Sequence, residues 1–243
     1  MKLKRYYYSD RLNKGEVVVL GGEEFHHMAN VMRTRVGEQI ELFCGDGYDY
    51  IGVVEELNKK DAKIFIQEQK QNLCNPNVQI DVFQALAKGD KLSLITQKIT
   101  ELGAHKLVIF ESKFCDVKGN TGKLDKLSSV TISACKQCGR SVPVEIEGVV
   151  SLSDIEKMTK DYDKFLLFYE AEDGNTLKAE IEKLSKQNAK KIAIMVGPEG
   201  GFEKGEIEEL KNSGATIVGL GNRIMRTETA SIAGVAVLSQ LFD

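Results

Sequence analysis

Two glycine-containing segments near the carboxyl end of the chain carry the residues best suited to binding a ligand. Residues 196–202 read VGPEGGF, and residues 220–226 read LGNRIMR. The three glycines of the first segment permit tight turns and a close approach of the backbone to a ligand. Pro198 stiffens the same turn. We therefore expect two ligand-binding loops here.

The second loop carries few side chains that could grip a phosphate. It offers backbone groups around Leu220, Gly221 and Asn222, and then the apolar pair Ile224 and Met225. A flat heteroaromatic ring suits such a place, because its edge can meet backbone groups while its faces meet apolar atoms.

Each loop follows an apolar run that has the length of a buried strand, at residues 192–196 and 215–219. Helical patterns come next, at residues 204–213 and 229–242. Two strands that end in loops, each followed by a helix, predict parallel strands with both loops at their carboxyl ends. Open α/β sheets bind ligands at that edge.

The chain before these loops divides at the segment LCNPN, residues 73–77, because Pro76 breaks structure there. After it, strands and helices alternate. The predicted elements are a strand at 78–85, a helix between Asp90 and Gly103, a strand at 106–110, helices at 123–138 and 154–160, a strand at 165–169 and a helix at 176–185.

The residues before this linker indicate a small β-rich domain. Strand patterns are found at 16–20, 39–43, 48–54 and 62–66, with one helix at about 23–33. We therefore expect two domains, residues 1–72 and residues 73–243, the second of the α/β class.

Composition bounds the classes of partner. The 243 residues are 42% apolar and 28% charged, and the net charge of −3 provides no global field that would recruit nucleic acid. The start of the chain lacks an apolar core of signal-peptide length, and no run is long enough to span a membrane. Five scattered cysteines fit reduced thiols, so a cytoplasmic location is expected. Cys135 and Cys138 form a CxxC without a second ligand pair, which favours two half-buried helix thiols over zinc.

The paired segments VGPEGGF and LGNRIMRTETA closely resemble the signature of the SPOUT-class RNA methyltransferases, best of all the ribosomal RNA small subunit methyltransferase E family. The segment HHMANVMRTRVGEQIELFCGDG resembles the amino-terminal, PUA-like β-barrel of the same family. The resemblance implies a homodimeric enzyme whose α/β domain contains a deep trefoil knot. It implies methylation of N3 of one uridine in 16S ribosomal RNA, with S-adenosylmethionine as the methyl donor.

The resemblance also implies a set of cofactor-binding residues, drawn from the strand at 165–169 with its following loop, from the two glycine-containing segments and from the start of the last helix. They are Leu167, Tyr169, Glu170, Val196, Gly197, Pro198, Glu199, Gly200, Leu220, Gly221, Asn222, Ile224, Met225, Thr229 and Ala230.

N3 methylation requires that the N3 proton of uracil leave, and that a cation stabilise the resulting anion. Arg226, which stays protonated at any working pH, is the predicted catalytic cation. Glu228 has two interpretations that remain open: a proton acceptor, or a carboxylate favoured by the amino-terminal dipole of a helix. The reaction needs no metal, and no ligand cluster suggests one.

Six residues are candidates for contacts with RNA or with an assembled small subunit: Arg5, Arg33, Arg35, Lys98, Gln137 and Arg140. The resemblance supports Arg33, Lys98, Gln137 and Arg140, while Arg5 is a candidate because cations and tyrosines at the start of the chain could meet phosphates and bases. The residues alone also fit ordinary roles. Arg5 can be a solvated charge on a strand, the arginines at 33 and 35 can cap a helix end, and Lys98 can pair with Glu101.

Other functions fit the sequence less well. A dinucleotide-dependent enzyme is disfavoured, because Gly219-x-Gly221 has Ile224 where GxGxxG needs a third glycine, and no P-loop is present. Another SPOUT specificity, or a non-catalytic RNA-binding protein that keeps the fold, remain as alternatives.

Overall fold

The computed structural model describes residues 3–116, 124–172 and 174–242. Within them the chain forms two compact units. The first comprises the residues up to Asn75 together with Cys135–Pro143, and the second comprises Pro76–Ala134 with the residues from Val144 onward. The boundary between residues 72 and 73 stays a prediction. No sequence pattern indicates that residues 135–143 return to the amino-terminal unit.

The first unit is built from strands, as its sequence predicted. Its elements are β1 (Lys4–Tyr7), β2 (Val17–Gly21), α1 (Gly22–His26), β3 (Gln39–Phe43), β4 (Tyr48–Leu57) and β5 (Asp61–Gln71). The helix expected at 23–33 is α1 continued by a π-helical turn, His27–Val31. Alternate strand residues such as Ile40, Ile64 and Ile66 are fully buried in one apolar core.

The sheet of this unit has the order β1-β3-β4-β5-β2. β1 pairs in parallel with β3, and the other neighbours are antiparallel. The two outer strands, β1 and β2, are not paired with each other, so among the described residues the sheet is open rather than a closed barrel.

The second unit alternates strands and helices. Its elements are β6 (Gln79–Ala85), α2 (Lys91–Glu101), β7 (Lys106–Phe110), α3 (Leu124–Cys138), β8 (Glu145–Val150), α4 (Leu152–Met158), β9 (Lys164–Phe168), α5 (Leu177–Gln187), β10 (Lys191–Val196), α6 (Lys204–Asn212), β11 (Thr216–Val218) and α7 (Thr227–Phe242). The predicted strands and helices are confirmed within a few residues at their ends, except that β8 was not predicted. The first residue of the helix expected at 123–138 lies outside the described residues. The last four residues of that helix, α3, belong to the returning segment of the first unit.

Six parallel strands in the order β11-β9-β10-β6-β7-β8 form the sheet of this unit. β10 is central, and its apolar run alternates between two cores. Ile192 and Ile194 pack with α2, α5 and α7 on one face, while Ala193 and Met195 pack with α4 and α6 on the other. Burial on both faces explains why the run is continuously apolar.

The end of β11 lies beneath the loop that joins β9 to α5. The N–H of Gly219 donates to the carbonyl of Asn175 at 2.8 Å, and the N–H of Leu177 donates to the carbonyl of Gly219 at 3.1 Å. The chain then leaves this edge of the sheet, and α7 packs against β6, β10 and α2 instead of against β11. The last helix therefore packs on the middle of the sheet, and β9 lies between β11 and the strands that α7 contacts.

Arg5 of β1 lies in the interior of the first unit, where its side chain is 3% exposed. Its guanidinium pairs with Glu41, lies 2.7 Å from Asp49 Oδ1 as an ion pair without hydrogen-bond alignment, and donates to the carbonyl of Arg140 at 2.8 Å. It also lies 4.6 Å from the centre of the Phe43 ring. This position contradicts the predicted RNA contact of Arg5, because two carboxylates already neutralise the cation.

We predict that Arg5→Met lowers the free energy of unfolding of the first unit by about 3 kcal/mol, since it strands two carboxylates without their counter-ion. Arg11→Met is the matched control, because Arg11 is exposed; its effect should stay below about 0.5 kcal/mol. Chemical denaturation of the full chain measures both. If Arg5→Met lowers the free energy of unfolding no more than Arg11→Met does, the buried cluster contributes nothing to stability.

Candidate active site

A cleft of about 350 Å³ opens in the second unit at the carboxyl ends of β9 and β10 and beside the start of α7. This volume lies within the range of small-molecule sites. The lining residues are Lys91, Phe168, Tyr169, Glu170, Val196, Gly197, Pro198, Glu199, Gly201, Phe202, Leu220, Gly221, Arg223, Ile224, Met225, Arg226, Thr227 and Ala230.

The first loop is held against the protein by aromatic side chains. A Cβ atom on Gly197 would lie 2.7 Å from the ring of Phe202, and one on Gly200 would lie 2.9 Å from Cβ of Phe114. The loop then enters α6 through a reciprocal cap, in which the N–H of Glu203 donates to Glu206 at 2.8 Å. These two glycines thus allow the backbone to approach side chains of the protein itself. Gly200 does not line the cleft.

A buried amide connects the two loops. Gln84 of β6 is fully buried, and its Nε2 donates to Thr227 Oγ1 at 2.8 Å. Thr227 Oγ1 in turn donates to the carbonyl of Gly197 at 2.7 Å, and Ser231 Oγ donates to Gln84 Oε1. The start of α7 and the start of the first loop are therefore fixed to the same strand of the sheet.

The charged groups of the cleft come from different elements. Lys91 Nζ at the start of α2 lies 2.7 Å from Glu199 Oε1 and 3.9 Å from Glu228 Oε2. Burial raises the pKa of Glu199, but the hydrogen bond from Lys91 outweighs it together with backbone N–H groups, so the net pKa lies below its ordinary value. Glu228 Oε2 is buried and has no hydrogen-bond partner among the described residues.

Of the fifteen residues predicted to bind the cofactor, four do not line this cleft: Leu167, Gly200, Asn222 and Thr229. Leu167 is fully buried in the core that contains α4 and α6, because it faces the opposite side of β9 from Phe168. The assignment of cofactor contacts remains a prediction, with eleven of its members brought together in one place.

Six lining residues were missed by the sequence analysis: Lys91, Phe168, Gly201, Phe202, Arg223 and Thr227. Five of them lie within two positions of a predicted residue, so the strand and loop assignments could have included them. Lys91 is different, because it lies more than a hundred positions from Glu199 in sequence and only the parallel sheet brings them together.

The two predicted catalytic residues have different surroundings. Arg226 lines the cleft and is exposed. Glu228 lies in the first turn of α7, does not line the cleft, and has a side chain only 14% exposed. Its position fits the helix-dipole interpretation, whereas Lys91 stands between it and the cleft-lining Glu199.

The candidate RNA-binding residues divide into exposed and internal groups. Arg33, Arg35 and Gln137 are exposed, and Lys98 pairs with Glu101 at 2.9 Å as the ordinary interpretation expected. Arg140 is 4% exposed, donates to Asn75 Oδ1 at 3.0 Å, and has a pKa lowered by burial. This position contradicts a direct RNA contact for its side chain.

Among the described residues, no group of three or more histidine, cysteine, aspartate or glutamate side chains could hold a metal ion. In the same part of the chain no helix is long and apolar enough to cross a membrane.

Comparison with known proteins gives two matching domain models. Residues 74–239 match an RNA methyltransferase domain, and residues 20–67 match an RNA methyltransferase PUA domain. The ribosomal RNA small subunit methyltransferase E of Bacillus subtilis is 29% identical over 98% of this chain and 96% of its own length. The protein of that name from Rickettsia conorii is 28% identical over 97% of this chain and 95% of its own length.

A crystal structure of ribosomal RNA small subunit methyltransferase E from Neisseria gonorrhoeae, bound to S-adenosyl methionine, superposes with a TM-score of 0.89 at 28% identity. The superposition covers 99% of this chain and 98% of that one. The similarity therefore extends over nearly the full length of both chains.

Proposed function

The chain belongs to the ribosomal RNA small subunit methyltransferase E family of RNA methyltransferases, and on that premise we propose that it methylates N3 of a uridine in 16S ribosomal RNA. S-adenosylmethionine supplies the methyl group as a sulfonium. The observation that carries this proposal is the cleft formed by both glycine-containing loops at the carboxyl ends of parallel strands.

The lining of the cleft fits this cofactor. Leu220, Met225 and Ala230 offer apolar surface to a flat adenine ring, and backbone groups of the two loops offer donors and acceptors to its edge. The carboxylate of Glu170 favours the positive charge of a sulfonium and an ammonium. The buried Gln84 network keeps both loops in place before the ligand arrives.

The uracil must be turned out of any base pair, because N3 lies on the Watson–Crick edge. In the cleft, Arg226 provides a fixed cation near which the uracil anion is stabilised. The walls align N3 with the methyl group, and such proximity contributes a large part of the barrier reduction. The exposed Arg33 and Arg35 of the first unit provide cations for phosphate contacts.

We infer that the chain path of the second unit is a trefoil knot. The loop from β9 to α5 contacts the end of β11 through Asn175 and Leu177, and the chain then continues to the middle of the sheet. Such a path fits a terminal segment threaded through a loop, which is rare in proteins. An experimental chain trace in which that loop does not encircle the final segment would refute it.

The enzyme acts on ribosomal RNA in the cytoplasm, as its five free cysteines also favour. A direct test incubates the full chain with small ribosomal subunits that lack the modification and with S-adenosylmethionine labelled in the methyl group. We expect label in the 16S RNA, and a stop of reverse transcriptase at one uridine, since N3 methylation blocks base pairing. Label in protein, or at another atom of the base, would contradict the proposed specificity.

Arg226→Ala should lower methyl transfer by about 100–1000-fold, as does the removal of one donor to an oxyanion. The affinity for S-adenosylhomocysteine and the melting temperature should change little. The side chain of Arg226 is exposed, and no hydrogen bond from it to another described residue is seen; the bond that its backbone carbonyl accepts from Ala230 N–H is kept in the variant. Kinetics, calorimetry and thermal denaturation on the same variant measure the three quantities. A parallel fall of all three would make Arg226 a structural residue.

We also propose a homodimer formed through α2 and α7. These helices pack together, and each presents a large apolar side chain to solvent: Leu94 is 42% exposed and Val237 is 43% exposed. Light scattering should give twice 27.0 kDa for the wild type. Val237→Glu should give a monomer, while Val17→Glu at a 50% exposed position of β2 should not. A monomeric wild type at micromolar concentration refutes the dimer.

A further inference from the structure

Three charged side chains from three elements meet at one wall of the cleft. Lys91 begins α2, Glu199 lies in the loop after β10, and Glu228 lies in the first turn of α7. The ammonium of Lys91 is 2.7 Å from the first carboxylate and 3.9 Å from the second. One cation is thus shared between two carboxylates, and it is bonded to only one of them.

The second carboxylate, that of Glu228, has a hydrogen-bond acceptor that the described residues leave unsatisfied. Glu228 Oε2 has no exposed surface and no hydrogen-bond partner among the described residues. A buried carboxylate oxygen without a donor is unfavourable. A movement of Lys91 Nζ by about 1 Å towards Glu228 Oε2 would shorten their separation to hydrogen-bond distance and supply the missing donor.

The two carboxylates also differ in access to the cleft. Glu199 lines the cleft, and its side chain is 29% exposed. Glu228 does not line the cleft, and its side chain is 14% exposed. A ligand can therefore touch Glu199, whereas it meets Lys91 before it could reach Glu228.

Resting on the methyl transfer proposed above, we propose that Glu199 is the residue that accepts the N3 proton of the uracil. Lys91 is then a positioning residue. When the proton reaches Glu199, the ammonium of Lys91 moves from the Glu199 carboxylate to that of Glu228. From the sequence alone, Glu228 is also a candidate for the proton acceptor. The structure favours Glu199 because it is the carboxylate that faces the cleft.

The step balances in atoms and charge. The N3–H bond breaks, its electron pair stays on N3, and the proton forms an O–H bond on Glu199. The N3 pair then forms the bond to the methyl carbon, and the carbon–sulfur pair returns to sulfur, which becomes neutral. Lys91 remains neutralised throughout, because Glu228 becomes its counter-ion when Glu199 loses its charge.

Other charged groups surround Glu199 and bear on its titration. Glu170 follows β9, while Arg223 and Arg226 lie in the second loop, and all three line the same cleft. Lys88, before α2, contributes a backbone N–H to Glu199 and pairs its side chain with Asp116 at 2.8 Å. Of these neighbours, only Lys91 is seen to form an ion pair with Glu199, so Lys91 is the group whose removal should raise the pKa of Glu199 most.

The experiment compares pH–rate profiles of full-length variants. Glu199→Gln should lower kcat by about 100–10,000-fold, with the affinity for S-adenosylhomocysteine kept within about threefold. Its residual rate should rise about tenfold per pH unit, because the uracil must then lose its proton to solvent. Glu208→Gln removes the same charge from an exposed position of α6 and should behave as the wild type.

Lys91 has a readout that does not depend on turnover. Carbon-13 NMR titration of the Glu199 carboxyl should give a higher pKa in Lys91→Met than in the wild type, since the stabilising cation is gone. The acid limb of the pH–rate profile, which needs the ionised carboxylate, should move to higher pH accordingly. Lys91→Arg should restore both.

Several results would overturn the inference. If Glu228→Gln acquires the steep pH dependence and Glu199→Gln does not, Glu228 is the acceptor. If Glu199→Gln loses cofactor affinity in step with its rate and keeps the wild-type profile, Glu199 is structural. If Lys91→Met leaves the Glu199 titration unchanged, Lys91 has no positioning role. A wild type that transfers no methyl group would instead refute the proposed function, and this inference with it.

Discussion

The hydrogen bonds around Gln84 are the constraint on which the site depends. A fully buried amide in the middle of a parallel sheet must find partners, and it finds them in Thr227 and Ser231 of the last helix. The hydroxyl of Thr227 in turn donates a hydrogen bond to the carbonyl of Gly197. Two loops that are distant in sequence are thereby held to one strand, and the cleft between them has a defined shape without a ligand.

Much of the fold could be predicted from the sequence. β6, β7, β9 and β10 could be recognised as short apolar runs, because those strands are buried on both faces. The ligand-binding loops could be recognised by their glycines. Eleven predicted cofactor residues line one cleft, since they lie at strand ends, where topology gathers residues automatically. Periodicity could not place β8, whose residues are mostly half-buried.

The surroundings of several charged residues could not be predicted, because they depend on contacts between distant segments of the chain. Arg5 and Arg140 look in sequence like cations available to phosphate, yet each is buried and bonded within the first unit. Lys91 looks like the first residue of a helix, yet it holds a carboxylate from the loop after β10. A sequence shows that a charge is present, but only the fold shows whether that charge is already neutralised.

The returning segment Cys135–Pro143 sets the order in which the chain can be completed during synthesis. The side chains of Arg5 and Asn72 bond to the carbonyls of Arg140 and Gly139, so the first unit contains groups made much later than its strands. A nascent chain that has emerged only as far as Asn75 lacks these partners. The amino-terminal unit is therefore finished only after Pro143 has left the ribosome, when β6 and β7 of the second unit are already outside.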